Sequence, residues 1–270
     1  MAPKLRHGNQ SDVAIVRRLA PADTSTYVWK CMAAGKGLTA YEARTQYSLL
    51  LEYRKQLGRL GWRTPTLLHL SVTDAPTGSY INAIEEYISG LDAETAFRTM
   101  DTSDAHKWDI VEHVVAETSR HRVFRSRASI GNARLGTLPC GIDLKPSNLV
   151  FDGIGKQLYL VDTFAPQIFS SGNVVGYTPK ITPFTPEMLL AVCGTREGTL
   201  LRFWRLLESQ WLATSRSDSD SRRERFNNTL IQYGLPLQER QFIVDQINGG
   251  YPWLDLVYAS YGVNEAQQAA

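Results

Sequence analysis

The sequence predicts an α+β fold of two lobes, a small antiparallel β-sheet carrying one helix and then a mostly helical lobe. Three observations carry this prediction. Before Gly90, β-branched and aromatic runs alternate with turn residues. One stretch of helical period interrupts them, from Tyr41 to Leu60. Beyond Leu91 apolar residues recur at helical spacing, with Trp108, Ile110, Val111, Val114 and Val115 marking a stripe that runs up to Val123.

Val13-Ala14-Ile15-Val16 and Tyr27-Val28-Trp29-Lys30-Cys31 read as strands, separated by the turn-rich Ala20-Pro21-Ala22-Asp23-Thr24. In the helix that follows, Tyr47, Leu50, Leu51, Leu57 and Leu60 fall near one face, and Gly61 stops it. Thr66–Val72 and Tyr80–Tyr87 read as two further strands around Asp74-Ala75-Pro76-Thr77-Gly78, closing a five-stranded sheet. Ser89-Gly90 is a natural boundary, dividing the chain into residues 1–88 and 89–270. In the second part, Leu149-Val150-Phe151 and Leu158-Tyr159-Leu160-Val161 flank Asp152-Gly153-Ile154-Gly155, a hairpin signal. Helices are expected to resume after Pro186. The serine-, arginine- and aspartate-rich Thr214–Arg225 is expected to be a mobile loop with solvated charges.

Composition excludes several functions. With 29 Lys+Arg against 27 Asp+Glu the net charge is +2, too balanced for general binding to a phosphate backbone, so no nucleic-acid partner is expected. Met1–Ala20 has no apolar signal core, and no apolar run approaches the length of a membrane span, which predicts a cytoplasmic protein without a membrane partner. Cys31, Cys140 and Cys193 lie far apart, without paired spacing for zinc or disulfides, and are expected as buried reduced thiols.

The chemistry concentrates between Gly141 and Asp162. The chain reads Gly-Ile-Asp-Leu-Lys-Pro-Ser-Asn-Leu-Val-Phe-Asp, then the hairpin, then Leu-Tyr-Leu-Val-Asp-Thr-Phe. Asp143 and Asn148 are five residues apart, and the hairpin would carry Asp162 back towards them. This stretch resembles the catalytic loop (H-R-D-L-x-x-x-x-N) and metal motif (D-F-G) of the protein-kinase-like fold and the related antibiotic phosphotransferases. The resemblance implies ATP and Mg2+ as cofactors, with Asn148 and Asp162 as hard oxygen ligands of the metal. It implies Asp143 as the carboxylate that orients the acceptor hydroxyl and takes its proton, and Lys145 as a contact to the transferring phosphate.

Upstream, the resemblance asks for a strand lysine to grip the phosphates and a helix glutamate to orient it. Lys30 fits the first role better than Lys36, which lies in a turn sequence. Glu52, read as facing inward with the helix's apolar stripe, is the candidate for the second, ahead of Glu42. Glu85-Glu86-Tyr87-Ile88-Ser89-Gly90 looks like the hinge between lobes, with backbone groups of Glu86, Tyr87 and Ile88 pairing with adenine. Three positions depart from the pattern: Gly141 replaces the motif histidine, Asp162-Thr163-Phe164 lacks the glycine, and Gly8-Asn9-Gln10-Ser11-Asp12 carries one glycine where several are expected.

Two features bear on the acceptor. Val175–Pro179 with Phe184-Thr185-Pro186-Glu187 reads either as the end of a protein-kinase activation segment or as a loop before a helix capped by Thr185. Arg120, His121, Arg122, Arg125 and Arg127 form a basic cluster, the opposite of the acidic walls a polycationic aminoglycoside requires. The leading expectation is a phosphotransferase acting on a Ser/Thr hydroxyl of a peptide or protein. A peptide natural-product pathway with a separate partner lyase is the attractive case. A small-molecule hydroxyl kinase and a pseudokinase scaffold that binds a partner are the alternatives.

Overall fold

The computed structural model describes residues 4–7, 11–17, 25–99, 102–121, 124–130, 132–152, 156–164, 166–170, 173–182, 184–214 and 219–260. The first lobe consists of β1 (Lys4–His7), β2 (Ser11–Arg17), β3 (Thr26–Met32), α1 (Ala40–Arg59), β4 (Leu67–Ala75) and β5 (Gly78–Glu86). Its five strands pair antiparallel in the order β1-β2-β3-β5-β4. Lys30 stands opposite Val13 on one side and Ala83 on the other. The β4–β5 turn passes close to the loop before α1. A Cβ at Gly78, where φ is +121°, would come 2.8 Å from the Gly37 Cα, so only glycine fits.

A capping box starts α1: the Glu42 amide donates to Thr39 Oγ1 (3.1 Å) and the Thr39 amide to Glu42 Oε2 (2.7 Å). Bonds to the Thr39 amide and to Lys180 hold the Glu42 carboxyl below its ordinary range. The buried face is Ala43, Gln46, Leu50, Tyr53 and Leu57. Leu51, expected on that face, is 43% exposed, because the buried stripe follows the i, i+3, i+4 rows through Tyr53. The helix serves two cores. Ala43 and Leu50 pack with Met32, Leu38, Ile81 and Ala83, a cluster completed by Phe164 and Ile181 from the far side of the chain. Tyr53, Leu57 and Trp62 belong to the larger core. Burying Leu50 and Leu57 contributes about 2 kcal/mol each and fixes the helix against both halves.

The chain leaves the first sheet at Glu86 and enters a second at β6 (Leu91–Asp92), which pairs with β9 (Leu149–Asp152). Between them come α2 (Ala93–Arg98), α3 (Asp104–Ser119), and a hairpin of β7 (Phe124–Ile130) and β8 (Ala133–Thr137). The Asp92 and Ser103 side chains cap the two helices. That hairpin lies where only helix was expected, and it places positions 125 and 127 of the basic cluster on a strand; Arg122 lies outside the described residues. Its buried residues Ile130 and Leu135 join the main core, so tertiary packing overrides the local reading. β9 pairs antiparallel with β10 (Gln157–Leu160), as the hairpin signal predicts; Gly153, Ile154 and Gly155 lie outside the described residues.

After the short pair β11 (Phe169–Ser170) and β12 (Asn173–Val174) the chain is helical: α4 (Pro186–Val192), α5 (Arg196–Thr214), α6 (Ser219–Gln232), α7 (Leu237–Asn248) and α8 (Pro252–Ser260). Thr185 Oγ1 accepts from the Met188 amide (3.2 Å) and Pro186 is the first residue of α4, so the capped-helix reading describes this segment. The expected loop is corrected from Ser219 onward, where α6 begins. The Arg222 and Arg225 guanidinium groups lie 5.3 Å and 4.3 Å from the Trp211 and Trp108 ring centres, while Phe226 stacks on Trp204 at 4.1 Å. Arginine on tryptophan supplies the contact that a polar stretch lacks on paper. All three cysteines are buried and free, and burial pushes the Cys140 and Cys193 thiols up to about 12, so both are inert at neutral pH.

His121 joins the two halves. It is 2% exposed, and its Nε2 accepts from the Trp62 indole N–H at 2.9 Å. Burial, reinforced by nearby Arg196, lowers its pKa to about 4. A depressed histidine pKa means that the unfolded chain takes up the proton first. Stability is therefore complete above about pH 6.5 and is lost as the pH falls towards about 4. The shift corresponds to about 3 kcal/mol. Thermal unfolding of wild type and His121→Gln across this range should show that acid loss in wild type and a flatter profile in the variant; parallel profiles would contradict the assignment.

Candidate active site

Pairing of β9 with β10 builds the site. Leu149 stands opposite Leu160, and the Val161 amide donates to the Asn148 carbonyl at 2.8 Å, so Asn148 and Asp162 flank the same end of the hairpin. A single 3-10 turn, Pro146–Asn148, leads in from Asp143. The Asp143 Oδ1 accepts from the Lys145 amide (3.3 Å), and the Asn148 side-chain N–H donates to the Asp143 carbonyl (3.4 Å). Asp162 Oδ1 accepts from the Phe164 amide (3.1 Å). Burial pushes the Asp162 carboxyl up, against the pull of Lys30. Burial likewise lowers the Lys145 pKa, although Asp143, Glu94 and Asp162 all draw it the other way.

Lys30 reaches this end of the hairpin from β3. Its ammonium donates to the Val161 carbonyl, one residue before Asp162, and forms an ion pair with Glu85 Oε2 at 2.6 Å. Lys30, Asn148, Asp162, Asp143 and Lys145 therefore converge where the two lobes meet. A strand lysine set against a loop aspartate, an asparagine and a hairpin aspartate, beneath a five-stranded sheet with one helix, is a specific combination. The chain has the protein-kinase-like fold.

No protein-family model and no curated protein matches the sequence. Among solved structures the kinase-like chain is similar to WaaP in complex with acyl carrier protein, at 16% identity and a TM-score of 0.49 over 94% of this chain and 86% of that one. It is similar to the Drosophila melanogaster PAN3 pseudokinase at 13% identity and a TM-score of 0.46, covering 93% of this chain and 59% of that one. For the MAP kinase LmaMPK10 from Leishmania major the values are 9% and 0.39, over 78% and 56%.

Glu52 does not meet Lys30. Its carboxylate interacts with Gln56, Lys55 and Arg59 along the outer face of α1. Glu42 is likewise outside, paired with Lys180 at 3.0 Å. The helix position turned inward is Arg54, whose guanidinium bonds Glu85 Oε1 (2.6 Å), Thr163 Oγ1 (3.1 Å) and the Pro65 carbonyl. At the hinge, the Glu86 amide is committed to the Thr66 carbonyl (2.9 Å) and its carboxylate to Thr66 Oγ1 (2.8 Å), so that amide cannot also serve adenine. Tyr87, 38% exposed, and Ile88 link the two sheets. Of the glycine-poor segment before β2, positions 8–10 lie outside the described residues, while Ser11 and Asp12 begin that strand.

The departure at Gly141 has a structural cause. A Cβ at Gly141 would lie 2.4 Å from Gln167 Oε1 and 2.9 Å from the Phe169 ring, so these side chains fill the place of a histidine. Tyr53 donates from α1 to the Gly141 carbonyl at 2.7 Å. Gln46, about two turns earlier, donates to the Gly176 carbonyl (2.6 Å) and Thr178 Oγ1 (3.0 Å). The helix thus grips both the loop before Asp143 and the segment after Asp162. Asp143 also forms an ion pair with Arg202 of α5, whose side chain is 3% exposed. Burial opposes the Arg202 charge, but the Asp143 carboxylate more than offsets this and its pKa is raised. Glu85, Arg54 and Arg202 are the site residues that sequence reasoning missed. Glu85 carried a usable signal: Lys30 pairs with Ala83, so position 85 is its diagonal neighbour on the same face.

Proposed function

We propose that the chain is an ATP- and Mg2+-dependent phosphotransferase acting on a Ser/Thr hydroxyl of a peptide or protein. The observation that carries this reading is the meeting of the Lys30 ammonium with the hairpin end that bears Asn148 and Asp162, beside the Asp143 carboxylate. Lys30 grips the phosphates of the nucleotide, whose adenine lies against Tyr87 and Ile88. Asp162 supplies a carboxylate that burial has already made expensive to ionise, and Asn148 an amide oxygen. Both are hard donors, a donor set that would fit magnesium. When bound, the metal neutralises charge on the phosphate oxygens. Asp143 orients the acceptor hydroxyl and receives its proton, and Lys145 faces the transferring group.

In this reading residues 1–88 form the nucleotide lobe and 89–270 the catalytic and substrate lobe of a cytoplasmic enzyme. No described helix is long and apolar enough to cross a membrane. In a peptide natural-product pathway, a partner lyase would eliminate the phosphate to leave a dehydroamino acid. Two other readings each have an observation behind them. The tie of Gln46 to Gly176 and Thr178 closes the segment beside Asp143 against α1, which favours a small hydroxylated acceptor. The Arg202 ion pair occupies the Asp143 carboxylate, which favours a pseudokinase scaffold.

The experiment is incubation with γ-labelled ATP and Mg2+, offering Ser/Thr peptides and hydroxylated small molecules in parallel. Label on peptides supports the leading reading, label confined to small molecules moves the assignment to the second, and bound ATP without transfer to either favours the scaffold.

A further inference from the structure

We propose that Glu85 on β5 is the positioning residue for the phosphate-gripping Lys30, and that Arg54 on α1 couples this pair to the segment bearing Asp162. This arrangement inverts the expected one, in which the helix supplies the carboxylate. The inference rests on the nucleotide-binding reading above and adds two residues to it.

Three side chains from three elements make one buried unit. Glu85 is 2% exposed at its side chain and is shared by two cations, with both contacts at 2.6 Å. The β3–β5 register sets the Lys30–Glu85 contact, since Lys30 stands opposite Ala83 and Glu85 lies two residues further along the same face. The backbone pairing of β3 with β5 therefore holds this contact in place. An ammonium has three donors. Two go to Glu85 and the Val161 carbonyl, leaving one for a phosphate oxygen.

Arg54 solves the problem this creates. When Lys30 is drawn towards phosphate, Glu85 would become a buried carboxylate without a full counter-charge, which is costly. Arg54 remains on Glu85 Oε1 and keeps it compensated. The same guanidinium binds Thr163, the residue after Asp162, and so ties the lysine's carboxylate to the backbone beside the metal ligand. One carboxylate with two cations leaves the unit at +1, the sign that a polyphosphate requires.

The discriminating measurement compares affinity for ATP with affinity for adenosine, in wild type, Glu85→Gln, Glu85→Asp and Arg54→Met, with melting curves to establish folding. ATP affinity should fall by about tenfold or more in Glu85→Gln and Arg54→Met, with Glu85→Asp between them and wild type, while adenosine affinity stays level. Equal loss of ATP and adenosine affinity would reduce Glu85 to a general structural role and overturn the inference. So would unchanged ATP affinity in Glu85→Gln, or a larger loss in Glu52→Gln. A wild type that binds neither ligand would instead remove the nucleotide-binding reading itself, and the clamp with it.

Discussion

Asp143→Asn should lower phosphoryl transfer by about 10²–10⁴-fold while ATP affinity stays close to wild type, since the role proposed for the residue is on the acceptor hydroxyl and not on the nucleotide. The change has a second consequence. Arg202 is 3% exposed, and Asp143 is its ion-pair partner; the guanidinium also sits 5.6 Å from the Phe184 ring centre. Its Nε is buried without a hydrogen-bond partner, so the Asp143 carboxylate is the main compensation for its charge. Removing one partner of a buried pair costs about 3–5 kcal/mol. Asp143→Asn should therefore melt earlier as well as fail to transfer. The double variant Asp143→Asn/Arg202→Gln separates the effects: the melting temperature should recover and transfer should not. Recovery of both would assign Asp143 a purely structural role.

Asp162→Asn should move binding and stability in opposite directions. Burial pushes the Asp162 carboxyl up against the pull of Lys30, so carrying its charge in the folded protein has a desolvation cost. An uncharged side chain of the same shape relieves that cost, and the nucleotide-free variant should melt at a higher temperature than wild type. The same change removes the only carboxylate of the proposed metal pair. Mg2+-dependent ATP affinity should then fall by at least about tenfold. A variant that melts lower and still binds ATP with magnesium would contradict both parts.

The distinction between what the sequence revealed and what it hid follows the range of the interactions. Lys30, Asn148 and Asp162 were legible because local rules set their placement: a β-branched strand for Lys30, a short hairpin for the other two. The Thr185 cap is local in the same way. Glu85, Arg54 and Arg202 depend on how distant elements pack. Asp143 and Arg202 sit on a loop and a helix that only the folded core brings together, and no spacing rule relates them. Glu52 was misread because the apolar stripe of α1 was traced through Leu51; tracing it through Tyr53 turns Arg54 inward and Glu52 out. The start of α6 was missed because its arginines gain their stabilisation from tryptophans on α3 and α5.

Calorimetry of ATP binding with and without Mg2+, on wild type and Asp162→Ala, reads whether Lys30, Asn148 and Asp162 form a working nucleotide–metal site. Wild type should bind ATP more tightly with magnesium, and Asp162→Ala should lose the magnesium-dependent part. Equal ATP affinity in the two proteins, or none in wild type, would contradict such a site.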